Sequence, residues 1–207
     1  MIADILPTGV VAAESFGPPG DWELLPGEAS AIATADPGRR AEFAAGRFVA
    51  RAALASLGAP AGPVLPGRAG EPQWPGGVVG SITHCTGYRA CAVALARDLA
   101  AIGIDAEPCL ALPDGLLAEV AGAAERACLT GLGAARPGVP WDRVLFCAKE
   151  AAYKAWYSRT GQRPGLRSMT VQVAGAGTFA AAWPAARLTG RWLVRDGLIV
   201  TAVTVPH

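Results

Sequence analysis

Apolar residues follow two rhythms along this chain. Short, mostly apolar runs occupy residues 78–83, 88–96 and 101–106, and again 168–174, 177–183, 190–195 and 198–205. Runs of this length bounded by turn residues predict strands. Asp196-Gly197, between the last two, is a strong two-residue hairpin signal. A longer mixed stretch precedes each group. Asp36-Pro37 offers an N-cap with proline at the first helical position, and Gly58 offers a stop, so 37–57 reads as a helix. A second long helix is expected at about 141–160, stopped by Gly161, after a weaker helical region at about 113–132. Pro and Gly crowd the loop 59–77, and residues 1–35, with Pro7, Pro18, Pro19 and Pro26, read as irregular. A long helix followed by strands thus occurs twice, dividing near residue 104. That order predicts an α+β protein of two similarly built lobes, 1–103 and 104–207, although no sequence repeat is visible.

Composition changes this picture little. Ala (44), Gly (26), Pro (17) and Arg (16) fill 103 of 207 positions. This bias is the background that GC-rich coding produces, and alanine adds little burial free energy per residue. Eighteen basic against seventeen acidic side chains leave a net charge of +1, which removes any global field for nucleic acid or anionic membrane. The start lacks a basic region followed by an apolar run, so no signal peptide is read. The uncharged stretch from Ser168 to Ala186 is broken by Gly175, Gly177 and Pro184 and reads as strands, not a membrane span. Five cysteines without C-x-x-C spacing fit a reduced, cytoplasmic protein in which each is a small buried residue.

Against that background the rare residues stand out. Both lysines, Lys149 and Lys154, fall in Phe146-Cys-Ala-Lys-Glu-Ala-Ala-Tyr-Lys-Ala-Trp156, and the one internal histidine, His84, lies in Gly80-Ser-Ile-Thr-His-Cys85. The first helix carries Arg39, Arg40, Arg47 and Arg51, of which Arg40, Arg47 and Arg51 share a narrow stripe. Arginine's planar fork suits phosphate, and a solvated helix face is the plain alternative. Asp105 and Glu107 are two apart on a strand and face the same way. Paired carboxylates repel unless a proton or a cation intervenes, and hard oxygen ligands favour Mg2+. Glu150 and Lys154 have the spacing of a helical ion pair. Carboxylates, a phosphate-binding arginine helix and a compact ammonium together suit phosphoryl chemistry. No Walker loop is present.

These residues resemble a known family. Gly103-Ile-Asp-Ala-Glu107, followed about forty residues later by Phe146-Cys-Ala-Lys-Glu-Ala-Ala-Tyr-Lys154, looks like the paired signature of the 4'-phosphopantetheinyl transferases. Gly70-Glu-Pro-Gln-Trp-Pro75 and Gly80–Cys85 look like the upstream motifs of its surfactin- and enterobactin-type branch, and the arginine helix fits actinobacterial members. The resemblance implies a pseudo-twofold protein with its site between two lobes. It implies transfer of phosphopantetheine from coenzyme A to the serine hydroxyl of an apo carrier protein of polyketide, nonribosomal peptide, siderophore or fatty acid synthesis, with release of 3',5'-ADP. By the same resemblance Asp105, Glu107 and Glu150 match ligands of Mg2+, or Mn2+. Glu150 matches the proposed base and Lys154 the diphosphate contact. Arg47 and His84 match contacts of the adenosine 3'-phosphate, Arg39 a further coenzyme A contact, and Ser81 a phosphate contact. Relatives often place a basic residue where Ala69 stands here, beside Arg68. A monomer is expected. Two readings compete: a non-catalytic coenzyme A or carrier-binding module, and a Mg2+-dependent phosphohydrolase that needs no carrier.

Overall fold

The computed structural model describes residues 1–207 except Pro19, Ala61 and Ala185, which fall in the expected irregular segments 1–35 and 59–77 and near the 190–195 strand. Thirteen elements carry the fold: β1 (Val11–Phe16), α1 (Pro26–Ala31), α2 (Pro37–Leu57), β2 (Val78–Cys85), β3 (Tyr88–Leu95), β4 (Ala101–Pro108), α3 (Leu116–Val120), α4 (Ala123–Ala135), α5 (Trp141–Thr160), β5 (Thr170–Ala174), β6 (Thr178–Trp183), β7 (Ala186–Arg195) and β8 (Leu198–Val205). The two long helices end where their caps predict. Asp36 accepts the Arg39 N–H at 2.9 Å, and Gly58 and Gly161 close α2 and α5. Asp196 and Gly197 both take positive φ, 52° and 76°, as a two-residue hairpin turn requires.

Three expectations are corrected. The region read as irregular at 1–35 contains β1 and α1, because β1 is a weakly apolar strand defined by its pairing with β3, from Val11–Val93 to Phe16–Tyr88. The weaker helical region expected at about 113–132 is two helices, Leu116–Val120 and Ala123–Ala135. They break at Ala121-Gly122, where Glu125 turns back to accept the Gly122 N–H at 2.7 Å. β7 begins at Ala186, earlier than 190, because Ala186 to Gly190 pair with β6, where Arg187, Leu188 and Thr189 lie opposite the small residues Ala182, Ala181 and Ala180.

All strand pairs are antiparallel, in two sheets ordered β1-β3-β2 and β4-β8-β7-β6-β5. Side chains replace a backbone ladder where the sheets meet. Ser81 Oγ accepts the Ile104 N–H at 3.0 Å, and Thr83 Oγ1 accepts the Ala106 N–H at 2.9 Å, so β2 lies along β4 in the same direction. Each half has its long helix over its sheet. Val49, Ala50, Ala53 and Leu54 of α2 pack with Cys91 and Val93, while Val144, Leu145, Ala148 and Ala151 of α5 pack with Val171, Phe179, Ile199 and Val203. A third cluster joins Tyr88, Ala90 and Ala92 to Ile104, Val200 and Ala202, so the halves share an interior.

Alanine does more here than supply background. Ala151 and Ala155 let α5 lie so close to β4 that a Cβ on Gly103 would sit 2.0 Å from the Ala151 carbonyl oxygen and 2.6 Å from the Ala155 nitrogen. That contact sets the distance between the residues of β4 and those of α5.

Candidate active site

A cavity of about 640 Å3 opens between the two halves. α2 supplies Arg39, Glu42, Phe43 and Arg47; β2 supplies Ser81 and His84; α5 supplies Tyr153, Lys154 and Tyr157. The segment containing Ala69, Gly70 and Glu71 lies along its rim, with Arg163 donating to the Ala69 carbonyl at 3.4 Å.

Arg47 is the buried cation of this cavity. Its Nε donates to the Val64 carbonyl at 2.7 Å and its guanidinium lies 3.9 Å from the centre of the Phe43 ring. Nη2 is buried with no hydrogen-bond partner among the described residues. An unpaired buried donor on a cation is costly, and an anion satisfies it. Burial, partly offset by Glu28, lowers the Arg47 pKa to about 10. Arg39 is exposed and lies 3.5 Å from Glu42. Burial also lowers His84 from its ordinary 6.5, against the pull of Glu42. The arginine stripe divides its duties: Arg40 donates to the Ala33 carbonyl at 3.1 Å, and Arg51 pairs with buried Glu28. Ser81 faces the cavity while its oxygen holds β4.

Carboxylates gather next to Lys154. The ammonium lies 2.7 Å from Asp105 Oδ1 and also donates to the Ile104 carbonyl at 3.1 Å. Thr83 Oγ1 donates to the same Oδ1 at 3.2 Å. Burial alone would lower the Lys154 pKa, but the charge and hydrogen bond of Asp105 outweigh it and hold the ammonium above its usual range. Asp105 Oδ2 is buried without a partner among the described residues. Glu107 Oε2 accepts from Arg143 Nη1 at 2.8 Å. Burial, then the charge of Asp105, pushes both Glu107 and Glu150 above the ordinary carboxylate range. Among the described residues no three His, Cys, Asp or Glu side chains already form a metal cage. The donors nonetheless fit a hard cation: they are oxygens, one is a buried orphan, and two carry the penalty of mutual repulsion.

Comparison with known proteins gives the family. Two family models match in tandem, the 4'-phosphopantetheinyl transferase N-terminal domain over residues 27–94 and the 4'-phosphopantetheinyl transferase superfamily over 101–203. The chain is 49% identical to 4'-phosphopantetheinyl transferase Svp of Streptomyces mobaraensis, over 99% of this chain and 89% of that one. It is 42% identical to Npt of Nocardia iowensis (98% and 99% covered) and 38% identical to PptT of Mycobacterium tuberculosis (99% and 98% covered), both also named 4'-phosphopantetheinyl transferases. The chain belongs to the 4'-phosphopantetheinyl transferase superfamily.

The transferase brings Arg39, Arg47, Ser81, His84 and Lys154 around one cavity. It couples Asp105, Glu107 and Glu150 electrostatically beside Lys154. Lys149, singled out with Lys154 by its rarity, does not join them. It is fully buried and donates to Glu125, at 2.8 Å, and to the carbonyls of Leu166 and Met169, at 3.0 and 2.6 Å. Three donors on one small cation meet three acceptors, which explains lysine there. Arg143, Tyr153 and Tyr157 had no role legible in the sequence, and Thr83 only a place in the polar Gly80–Cys85 motif. The two tyrosines stack on the α5 wall with ring centres 6.2 Å apart, and their i, i+4 spacing was the available signal.

Proposed function

We propose that this transferase moves 4'-phosphopantetheine from coenzyme A to a serine of apo acyl or peptidyl carrier proteins, with Mg2+ and release of 3',5'-ADP. The observation that carries this reading is the cavity itself: it runs from Arg47, whose Nη2 has no partner among the described residues, to Lys154, which pairs with Asp105. An elongated substrate with a phosphate at one end and a reacting diphosphate at the other fits that arrangement.

In the proposed reaction, Arg47 and His84 hold the 3'-phosphate end, with Arg39 a further coenzyme A contact and Ser81 a further phosphate contact. Asp105, Glu107 and Glu150 would hold Mg2+, which when bound neutralises diphosphate charge. The serine Oγ attacks the phosphorus bearing the pantetheine arm. A new O–P bond forms, the bridging P–O bond breaks, and its electron pair leaves on 3',5'-ADP. Glu150 takes the serine proton; burial and Asp105 raise its proton affinity toward that task. Lys154 places a positive charge beside the leaving oxygen.

The division into lobes 1–103 and 104–207 belongs to the same proposal. Supporting it, Glu28 caps the Leu25 N–H, accepts the Val64 N–H and pairs with Arg51 of α2, while Glu125 caps the Gly122 N–H, accepts the Val171 N–H and pairs with Lys149 of α5. Among the described residues no helix is long and apolar enough to cross a membrane. A cytoplasmic monomer serving polyketide, nonribosomal peptide or siderophore carriers completes the reading. The test mixes protein, coenzyme A, Mg2+ and a panel of apo carriers, and follows carrier mass. A gain of one phosphopantetheine with 3',5'-ADP is expected. No gain on any carrier, or phosphate release from coenzyme A without a carrier, overturns the reading.

A further inference from the structure

Arg143 sits in the first turn of α5, outside every motif that marked the site. Its guanidinium is mostly buried and each of its nitrogens donates once: Nη1 to Glu107 Oε2 at 2.8 Å, Nε to the Leu110 carbonyl at 3.0 Å, and Nη2 to the Ala111 carbonyl at 2.8 Å. Its neighbour Asp142 accepts the Leu112 N–H at 2.8 Å. The start of α5 therefore clamps the segment that leaves β4 at two points, and only one of them touches a site carboxylate.

We propose that Arg143 is a positioning residue for Glu107. The inference rests on the reading of Glu107 as a metal ligand. The two backbone carbonyls fix the guanidinium, so it holds Glu107 and does not follow it. It bonds one carboxylate oxygen, which leaves Oε1 for a cation. A glutamate held this way loses no rotamer freedom when it ligates, whereas a loose one does. The helix that carries Arg143 also carries Glu150 and Lys154, so the clamp ties Glu107 to the frame of the other site groups. Partners that orient metal ligands from outside the coordination sphere are worth about 10–100-fold in metal affinity. A second role is chemically possible for a cation here. An arginine that merely competed for Glu107 would weaken metal binding, and its removal would strengthen it. The two roles differ in sign.

The experiment measures Mn2+ binding to the full-length protein with saturating coenzyme A, from the loss of the free Mn2+ electron paramagnetic resonance signal. Arg143→Ala is expected to weaken binding about tenfold. Arg143→Lys, which can still pair with Glu107, recovers most of that loss. Asp142→Ala removes the other half of the clamp and leaves Mn2+ affinity unchanged while lowering Tm. Glu107→Gln is the benchmark. If it binds Mn2+ as the wild type does, the metal-ligand reading fails. If Glu107→Gln weakens binding while Arg143→Ala binds equally or more tightly, the positioning role alone is overturned. Circular dichroism of each variant separates these outcomes from misfolding, and Arg143→Lys supplies the same comparison if Arg143→Ala does not fold.

Discussion

Glu125 and Lys149 form a buried ion pair, 2.8 Å apart, that holds α4, α5 and the start of β5 in one place. Both side chains are nearly inaccessible, at 4% and 0%. Glu28 and Arg51 do the same work in the first half, with the acid again three residues into a short helix and the base on the long one. Breaking a buried pair leaves an uncompensated charge, whereas removing both partners leaves none.

Lys149→Met should therefore destabilise the protein by about 3–5 kcal/mol, because Glu125 stays buried without its partner. The double variant Lys149→Met/Glu125→Gln should recover a large part of that loss. Urea unfolding of the four members of the cycle measures the coupling. Additive single effects would show that the pair is not the unit described.

Arg47 offers a test of the other end of the cavity. Charge-assisted hydrogen bonds contribute about 1.5–3 kcal/mol, so Arg47→Met should raise KM for coenzyme A by roughly ten- to a hundredfold. Arg47→Lys should fall between, since an ammonium cannot serve both the Val64 carbonyl and a phosphate with the geometry of the fork. An unchanged KM in both would remove Arg47 from the binding end.

These sites differ in how plainly the chain announced them. The long helices were legible because their limits are local: Asp36 and Pro37 start one, and Gly58 and Gly161 stop both. β1 was not, because its identity lies in a partner strand more than seventy residues away. The break between α3 and α4 was written in Gly122 and Glu125, a capping pair easily passed over in an alanine-rich run. The site followed the same division. Asp105, Glu107, Glu150 and Lys154 stood out as chemistry at odd places in apolar stretches, but rarity alone did not separate Lys154 from Lys149. Only the fold shows that one ammonium meets Asp105 and the other meets Glu125. Thr83 and Arg143 carry no spacing signal, since each acts on a residue that is distant in sequence.

Gly103, the first residue of the Gly103–Glu107 motif, is glycine because α5 leaves no room for a side chain. A Cβ there would collide with backbone atoms of α5, at 2.0 and 2.6 Å, and backbone does not yield as a side-chain tip does. Gly103→Ala should push α5 away from β4, separate Lys154 from Asp105, and cost more than about 3 kcal/mol, well beyond a typical substitution. Thermal unfolding together with carrier modification reads this out. A variant of normal Tm and activity would mean that the helix has room to shift.

Glu150 gives the last prediction, and its sign is unusual for a site residue. Burial and the charge of Asp105 hold its pKa above the ordinary 4.5. Between 4.5 and that raised value the folded protein binds more protons than the unfolded chain, so stability grows as pH falls through this window and is lost as pH rises above it. Above that window, in the absence of metal, ionised Glu150 therefore weighs against the fold. Glu150→Gln should raise Tm there, by roughly 2–4 °C for each kcal/mol of relieved repulsion in a chain of this size. It should also reduce transfer by at least about a hundredfold, the lower range for loss of a general base. The Tm advantage should shrink as the pH is lowered through the raised pKa, where wild-type Glu150 takes up its own proton. Added Mg2+ should stabilise the wild type and not the variant. A Tm difference that does not change with pH would show that Glu150 is not held in a repulsive site, and the carboxylate cluster would then have to be reassigned.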